Sequence, residues 1–243
     1  MTSAKPPGGL VWFDEPPPPP ATTQLSRERI VSAAIALADE SPTGEITMRA
    51  IASRLGTRSP MALYRYVGSK DGLTDLMVDE VYGEITVPPP GDWRACLREM
   101  GRSAWAAVQR HPWFARMSFS RPPLGPNALR LYDAALAAVD ELDLDAATRI
   151  GFVNTVLGQA LKSGLALLEE RAMRERTGLV SDAQLAEAAH PYLERIRAEG
   201  KYPHYIRWLG EPDCLADVVS SEQHLEWQLD GLQRLAEARR TAT

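Results

Sequence analysis

From Leu25 onward, apolar residues recur every three or four positions, and most such runs stop at a glycine or a proline. That spacing puts the apolar side chains on one face of an α-helix. No stretch of convincing length alternates apolar and polar residues at the period of two that a half-buried strand needs. The chain is therefore expected to be all-α, a series of helices separated by firm breaks.

The starts and stops can be read individually. Ser26 fits an N-cap, with Leu25 and Ile30 placed as a hydrophobic staple and Ile30, Ala33, Ala34, Leu37 and Ala38 on one face. Ser41, Pro42 and Gly44 end that helix. Thr47 fits the cap of a second helix that turns Met48, Ile51, Ala52 and Leu55 inward and stops at Gly56. Ser59 fits the cap of a third, with Pro60 at the first helical position, where its missing N–H costs nothing, and Gly68 closing it. Ser69 opens a fourth, with Asp71 in its first turn and Leu73, Leu76, Met77 and Val81 facing in.

The run VPPPG at 87–91 is the strongest breaker and divides a small bundle, 25–86, from a larger helical region, 87–243. In the larger region helices are expected near 92–110, 112–119, 126–142, 145–175, 182–199 and 213–240, with HPY at 190–192 and YPHY at 202–205 read as turns. Residues 1–24 carry Pro6, Pro7 and the run Pro16 to Pro20, which favours extended backbone and cannot build a core. A disordered tail is expected there, with Trp12 and Phe13 as its possible docking points.

Composition excludes several function classes. At 243 residues, 44% of them hydrophobic, the chain can bury a full core, yet no apolar run approaches the roughly 20 residues that span a bilayer. The N-terminus lacks the apolar core of a secretion signal, so the expectation is a cytoplasmic protein with no membrane partner. Cys96 and Cys214 have no metal-type spacing and read as small buried hydrophobes. His111, His190, His204 and His224 share no metal-ligand spacing either. There is no Gly-rich phosphate loop, nucleophile elbow or supported carboxylate pair. No cofactor, no metal site and no enzymatic activity are expected.

The net charge of −5 would argue against a nucleic-acid partner, but its distribution argues for one. Arg49, Arg54, Arg58, Arg65 and Lys70 lie in a stretch without a single acid, followed at once by Asp71, Asp75, Asp79, Glu80 and Glu84 without a single cation. Local fields within a Debye length of about 10 Å govern a bound partner more than the total does. Two short helices joined by a tight Gly-containing turn inside an N-terminal bundle describe a helix-turn-helix, whose second helix enters the DNA major groove. The N-terminus of that helix offers free N–H groups to phosphate. Thr47, Arg58, Ser59 and Met61 lie at the leading ends of the two helices. Tyr64, Arg65, Tyr66 and Lys70 follow as outward-facing phosphate contacts. Leu63 and Val67, at i and i+4, read as the inward face, and the acidic run 71–84 as a solvated helix face.

The segments RIVSAAIALADE, ITMRAIASRLG and MALYRYVGSKDGL together resemble the DNA-binding domain of the tetracycline-repressor family. The likeness covers about residues 25–85 and rests on helix order and on the pattern at Leu63, Tyr64, Tyr66, Val67, Lys70 and Leu73. Two features depart from the family pattern. The turn from Gly56 to Tyr64 is one residue longer than usual, and Tyr66 stands where histidine is frequent. GDWRACLREMGRSAWAAVQRHPWFARM and GPNALRLYDAALAAV resemble the ligand-binding domains of actinobacterial members. The resemblance implies a homodimer that binds an operator in double-stranded DNA, with a small-molecule effector pocket in each C-terminal domain and repression relieved by ligand.

Trp105, Trp113, Phe114, Phe119 and Phe152 are candidate lining for that pocket, set against the simpler reading of aromatics as plain core. Asn154 and Gln159 are polar positions in an otherwise apolar helix and need partners, which a ligand or a dimer mate could supply. The last helix repeats Val218, Leu225, Leu229, Leu232 and Ala236 at nearly heptad spacing, which suits either its own core or, as the family likeness implies, a four-helix dimer interface. The reading from a different class is an all-α small-molecule-binding protein or enzyme whose N-terminal bundle is only structural.

Overall fold

The computed structural model describes residues 11–13, 25–41, 46–89, 91–120, 122–211 and 220–241. In chain order the helices are α1 (Arg27–Glu40), α2 (Met48–Arg54), α3 (Met61–Val67), α4 (Lys70–Tyr82), α5 (Trp93–Arg110), α6 (Pro112–Ser118), α7 (Pro126–Val139), α8 (Ala146–Thr177), α9 (Asp182–Ala198), α10 (Pro203–Leu209) and α11 (Ser221–Thr241). No strand occurs among the described residues. The all-α expectation holds, and no described helix is long and apolar enough to cross a membrane.

Three of the four expected caps form. The hydroxyls of Ser26, Thr47 and Ser69 accept the N–H groups of Arg29, Ala50 and Gly72. Ser59 does not cap. Pro60 already has helical dihedrals, and the first turn of α3 closes tightly, with Ala62 N–H donating to the Ser59 carbonyl and Leu63 N–H to the Pro60 carbonyl. The Ser59 backbone therefore takes the N–H its hydroxyl was expected to take. Gly56 and Gly68 both sit at positive φ, the left-handed conformation that ends α2 and α3.

α1 to α4 form the small bundle around Ile30, Ala34, Ile51, Leu63, Val67 and Leu73. In the larger region α5 and α8 are the central pair, with α6, α7 and α11 packed on them. One continuous core joins the two parts, because α4 also packs on α6 and α7. α9 is exposed along nearly its whole length, with Ile196 as its one buried side chain.

Several expectations are corrected here. HPY at 190–192 lies inside α9, with Pro191 in the helix, and YPHY opens α10, where Pro203 takes the first helical position. The start of the last helix near 213, together with Cys214 and Val218, lies outside the described residues. In the tail, Val11 to Phe13 form a 3-10 turn docked on α4, with Val11 buried against the side of Gly72. Leu225, Leu229 and Ala236 of α11 are buried within the chain's own core, and Trp227 and Leu235 are the exposed large apolar residues of that helix. Cys96 is buried, its thiol against the Pro88 and Pro89 carbonyls.

Candidate nucleic-acid interface and effector domain

The basic stretch runs along α2, the turn from Leu55 to Pro60, α3 and the first residue of α4. Thr47, Arg49, Arg58, Ser59, Arg65 and Lys70 are all exposed, Tyr64 is half-buried, and Met61 is 70% exposed. Arg54 pairs with Glu40 of α1. Arg49, Arg58, Arg65 and Lys70 form no ion pair among the described residues. An unpaired cation keeps its full attraction for an external anion, whereas a paired one must first give up its partner. Met61 is an exposed apolar side chain at the first position of α3, between Arg58 and Arg65.

Tyr66 departs from the outward placement expected of it. It is 6% exposed and joins Leu63 and Val67 in the core, while its backbone carbonyl accepts from Arg27 Nε at 2.9 Å. The reason is geometric: position 66 is i+3 from Leu63, so it shares the inward stripe that also includes Val67. Tyr64 and Arg65 point away from that stripe.

The acidic run is not a solvated face. Asp75 and Asp79 are buried, and only Asp71 and Glu80 fit the expectation fully. Asp79 accepts the backbone N–H groups of Asn127 at 3.2 Å and Ala128 at 2.9 Å, and the Asn127 side-chain amide at 3.2 Å. Burial pushes its carboxyl above the ordinary range, and these N–H donors pull it back. Glu84, just past the end of α4, meets Arg110 and His111. Sequence reading missed these roles because the partners lie far along the chain.

The predicted effector residues do not all converge. Trp105 and Gln159 line a cavity of about 80 Å³ between α5, α8 and α11, together with Gly101, Arg102, Ser163 and Glu222. Gln159 donates to the Ser163 hydroxyl at 3.1 Å and accepts from Gln228 Nε2 at 3.3 Å. The Gln228 amide oxygen is buried without a partner among the described residues. Phe152 is buried with its ring 5.8 Å from that of Trp93. Trp113 and Phe114 belong to the junction between the two bundles instead: Phe114 meets the ring of Tyr82 edge-on at 5.1 Å, and Trp113 Nε1 donates to Asp39 Oδ1 at 2.6 Å. Phe119, just past the end of α6, is 58% exposed and is not part of the cavity between α5, α8 and α11. Asn154 is exposed and accepts from the Tyr132 hydroxyl at 3.3 Å.

Arg94, Arg98 and Arg102 repeat every four residues along α5 and meet Glu222, Glu226 and Asp230 at the same interval along α11. This ladder clamps α11 over the cavity. The matched spacing was a signal present in both segments, legible only once the two helices are known to be neighbours.

Residues 87–235 match the tetracyclin repressor-like C-terminal domain. The chain is 34% identical over 219 residues to the HTH-type transcriptional repressor DrrR1 of Streptomyces coeruleorubidus, covering 89% of this chain and 80% of that one. Among solved structures it is similar to apo ActR from Streptomyces coelicolor, with a TM-score of 0.71 and 25% identity over 90% of this chain and 100% of that one. It is also similar to ActR in complex with actinorhodin, with a TM-score of 0.69 and 26% identity over 89% and 98% of the two chains. The fold, the helix-turn-helix surface and these likenesses agree, and the chain belongs to the tetracycline-repressor family of helix-turn-helix transcriptional regulators.

Proposed function

We propose that this regulator represses transcription as a homodimer bound to a pseudo-palindromic operator, and that a small organic effector releases it. The observation that carries the DNA part is the cluster of Arg49, Arg58, Arg65 and Lys70, exposed around α2 and α3 without an acid among them. In this reading Arg65, Tyr64, Lys70 and Thr47 hold phosphates and fix the register, while Arg58, Ser59 and Met61 face the base edges. Tyr66 acts from below, packing α3 onto the bundle. Residues 25–86 form the DNA-binding unit and 87–243 the effector and dimerisation unit.

The effector part rests on the cavity beneath the α5–α11 ladder and on the ActR relative solved with actinorhodin. Trp105 supplies an apolar wall, and Gln159 and Ser163 supply polar anchors. A ligand acts by binding one arrangement of the domains more tightly than the other, since equal affinity shifts nothing. α4 transmits the shift, because it is tied to α7 through Asp79 and to α6 through Tyr82 and Phe114.

Selection of bound sequences from a random duplex library tests the reading. The expected product is an inverted repeat whose half-sites are one helical turn apart, about 34–36 Å, or a multiple of it. Recovery of no sequence-selective, salt-sensitive binding would end the proposal.

A further inference from the structure

His111 stands at the junction of α5 and α6 and is 5% exposed. Its two ring nitrogens face two carboxylates from separate segments of the DNA-binding unit. Nδ1 lies 2.8 Å from Asp39 Oδ1, near the end of α1, and Nε2 lies 3.2 Å from Glu84 Oε1, just beyond α4. Each carboxylate has a second partner from the effector unit. Trp113 Nε1 of α6 donates to the same Asp39 oxygen, and the Arg110 guanidinium of α5 pairs with the other oxygen of Glu84. Glu80 and Asp79 of α4 line the adjoining cleft with Asp39 and Glu84 but make no bond to the ring.

An ionised carboxylate only accepts hydrogen bonds, and a neutral imidazole has a single N–H to donate. Two carboxylates on two ring nitrogens therefore require one more proton than a neutral histidine holds. For both contacts to be hydrogen bonds that proton has to come from the ring or from a carboxylate, and the indole N–H and the guanidinium already on Asp39 and Glu84 are the donors that suit ionised carboxylates. With His111 as imidazolium, the four charged groups Asp39, Glu84, Arg110 and His111 balance. Loss of the proton to solvent leaves a net negative charge and one ring nitrogen as a lone-pair acceptor facing a carboxylate, so one of the two inter-domain bonds must break.

We propose that His111 is a proton-dependent latch between the two domains: doubly protonated, it ties both α1 and α4 to the α5–α6 junction, and singly protonated it can hold only one of them. The latch is a positioning device and touches no DNA. By fixing the DNA-binding unit on the effector unit it preorganises the half-site spacing, and preorganised partners bind more tightly than those that must be ordered on contact. The inference rests on the operator-binding reading for its consequence, not for its chemistry.

The test has two arms. In the full-length protein with 15N-labelled histidine, His111 is assigned by the signal absent from His111→Gln, and its ring nitrogens are followed from about pH 5 to about pH 9. Both nitrogens are expected to carry protons at the acidic end, with a single proton lost on the way up. One nitrogen bare across the whole range overturns the latch. In the second arm, binding to the duplex recovered by selection is measured over the same range. Wild type is expected to lose about fivefold or more in affinity as pH rises, relative to His111→Gln and Asp39→Asn, whose profiles stay flatter. Parallel profiles for wild type and both variants overturn the coupling. If no duplex binds at any pH the regulator reading fails, and the nitrogen signals alone decide the latch. Should His111→Gln not fold, Asp39→Asn carries the comparison.

Discussion

Asp79 accepts the backbone N–H of Ala128 at 2.9 Å, so a carboxylate of α4 caps the first turn of α7 from 49 residues away. Gly125 makes the approach possible, since a Cβ there would stand 2.2 Å from the Asp79 Oδ1. Asp79→Ala leaves the N–H groups of Asn127 and Ala128 without that acceptor in a mostly buried place, at a cost of about 1–3 kcal/mol. Gly125→Ala is expected to destabilise by a similar route, by pushing the carboxylate off the helix end. Urea unfolding of the two variants and the double mutant checks this. The double mutant should lose less than the sum of the singles, because both act on one bond. Full additivity would show that Gly125 has another role.

The same pair shows where sequence reading reaches its limit. Caps at Ser26, Thr47 and Ser69 were legible because a cap and the N–H it serves lie three residues apart. The inward stripe Leu63 and Val67 was legible for the same reason, and Tyr66 was misplaced only because its i+3 relation to Leu63 was overridden by its chemistry. Asp79 and Glu84 could not be read. A charged run on a helix looks solvated until the Ala128 N–H, His111 and Arg110 are known to face it, and those come from residues 26 to 49 positions downstream. Among the effector candidates, Trp105 and Gln159 converge while Phe119 and Asn154 do not. Aromatic or polar character at helical spacing says that a residue differs from its neighbours, not which helix it meets.

Lys70 is exposed at the first position of α4 and has no acidic partner among the described residues. As a phosphate contact it contributes one released counterion. Lys70→Ala is expected to weaken binding to all duplexes alike and to make the slope of log affinity against log salt shallower by about one unit. Arg65→Ala should do the same. An unchanged slope would remove either residue from the phosphate set.

Arg58 and Met61 are expected to set sequence preference. Both are exposed at the leading edge of α3, and Met61 is the residue there with an apolar tip. Repeating the selection with Arg58→Ala and Met61→Ala should relax or change one or two base positions per half-site, each worth about 1–3 kcal/mol of discrimination. A recovered sequence identical to that of wild type would shift base reading to other positions between Gly56 and Tyr64.

Glu226 gives the effector unit a defined acid sensitivity. Arg98 Nε donates to its Oε1 at 2.5 Å, and Arg94 Nη2 to its Oε2 at 3.0 Å. These guanidiniums, Arg98 foremost, hold the carboxyl at about 2 against an ordinary value of 4.5. A depressed carboxylate contributes stability that is complete above the unfolded value and disappears as pH falls toward the folded one. The wild-type melting temperature should therefore drop between about pH 4.5 and pH 2 more than that of Glu226→Gln. The group is partly exposed, so the difference at neutral pH should stay near 1 kcal/mol or less. Coincident acid curves would mean that the ladder adds nothing to the closure of α11.

Gly164 of α8 faces Val108 of α5. A Cβ there would lie 1.8 Å from Val108 Cγ1, inside the contact of the two central helices. No rotamer change of alanine can relieve this, so either Val108 turns or the helices separate. Overpacking of this kind costs about 1–3 kcal/mol, and Gly164→Ala is expected to lower stability by that amount, even though alanine is the better helix former by about 1 kcal/mol. Val108→Ala removes the clashing methyls and should recover part of the loss in the Gly164→Ala, Val108→Ala double mutant, although Val108→Ala alone destabilises the core. The sign of the coupling decides the matter. A double mutant that loses as much as the two single mutants together would mean that the α5–α8 contact adapts by sliding, and the rigid pairing of the two central helices would have to be given up.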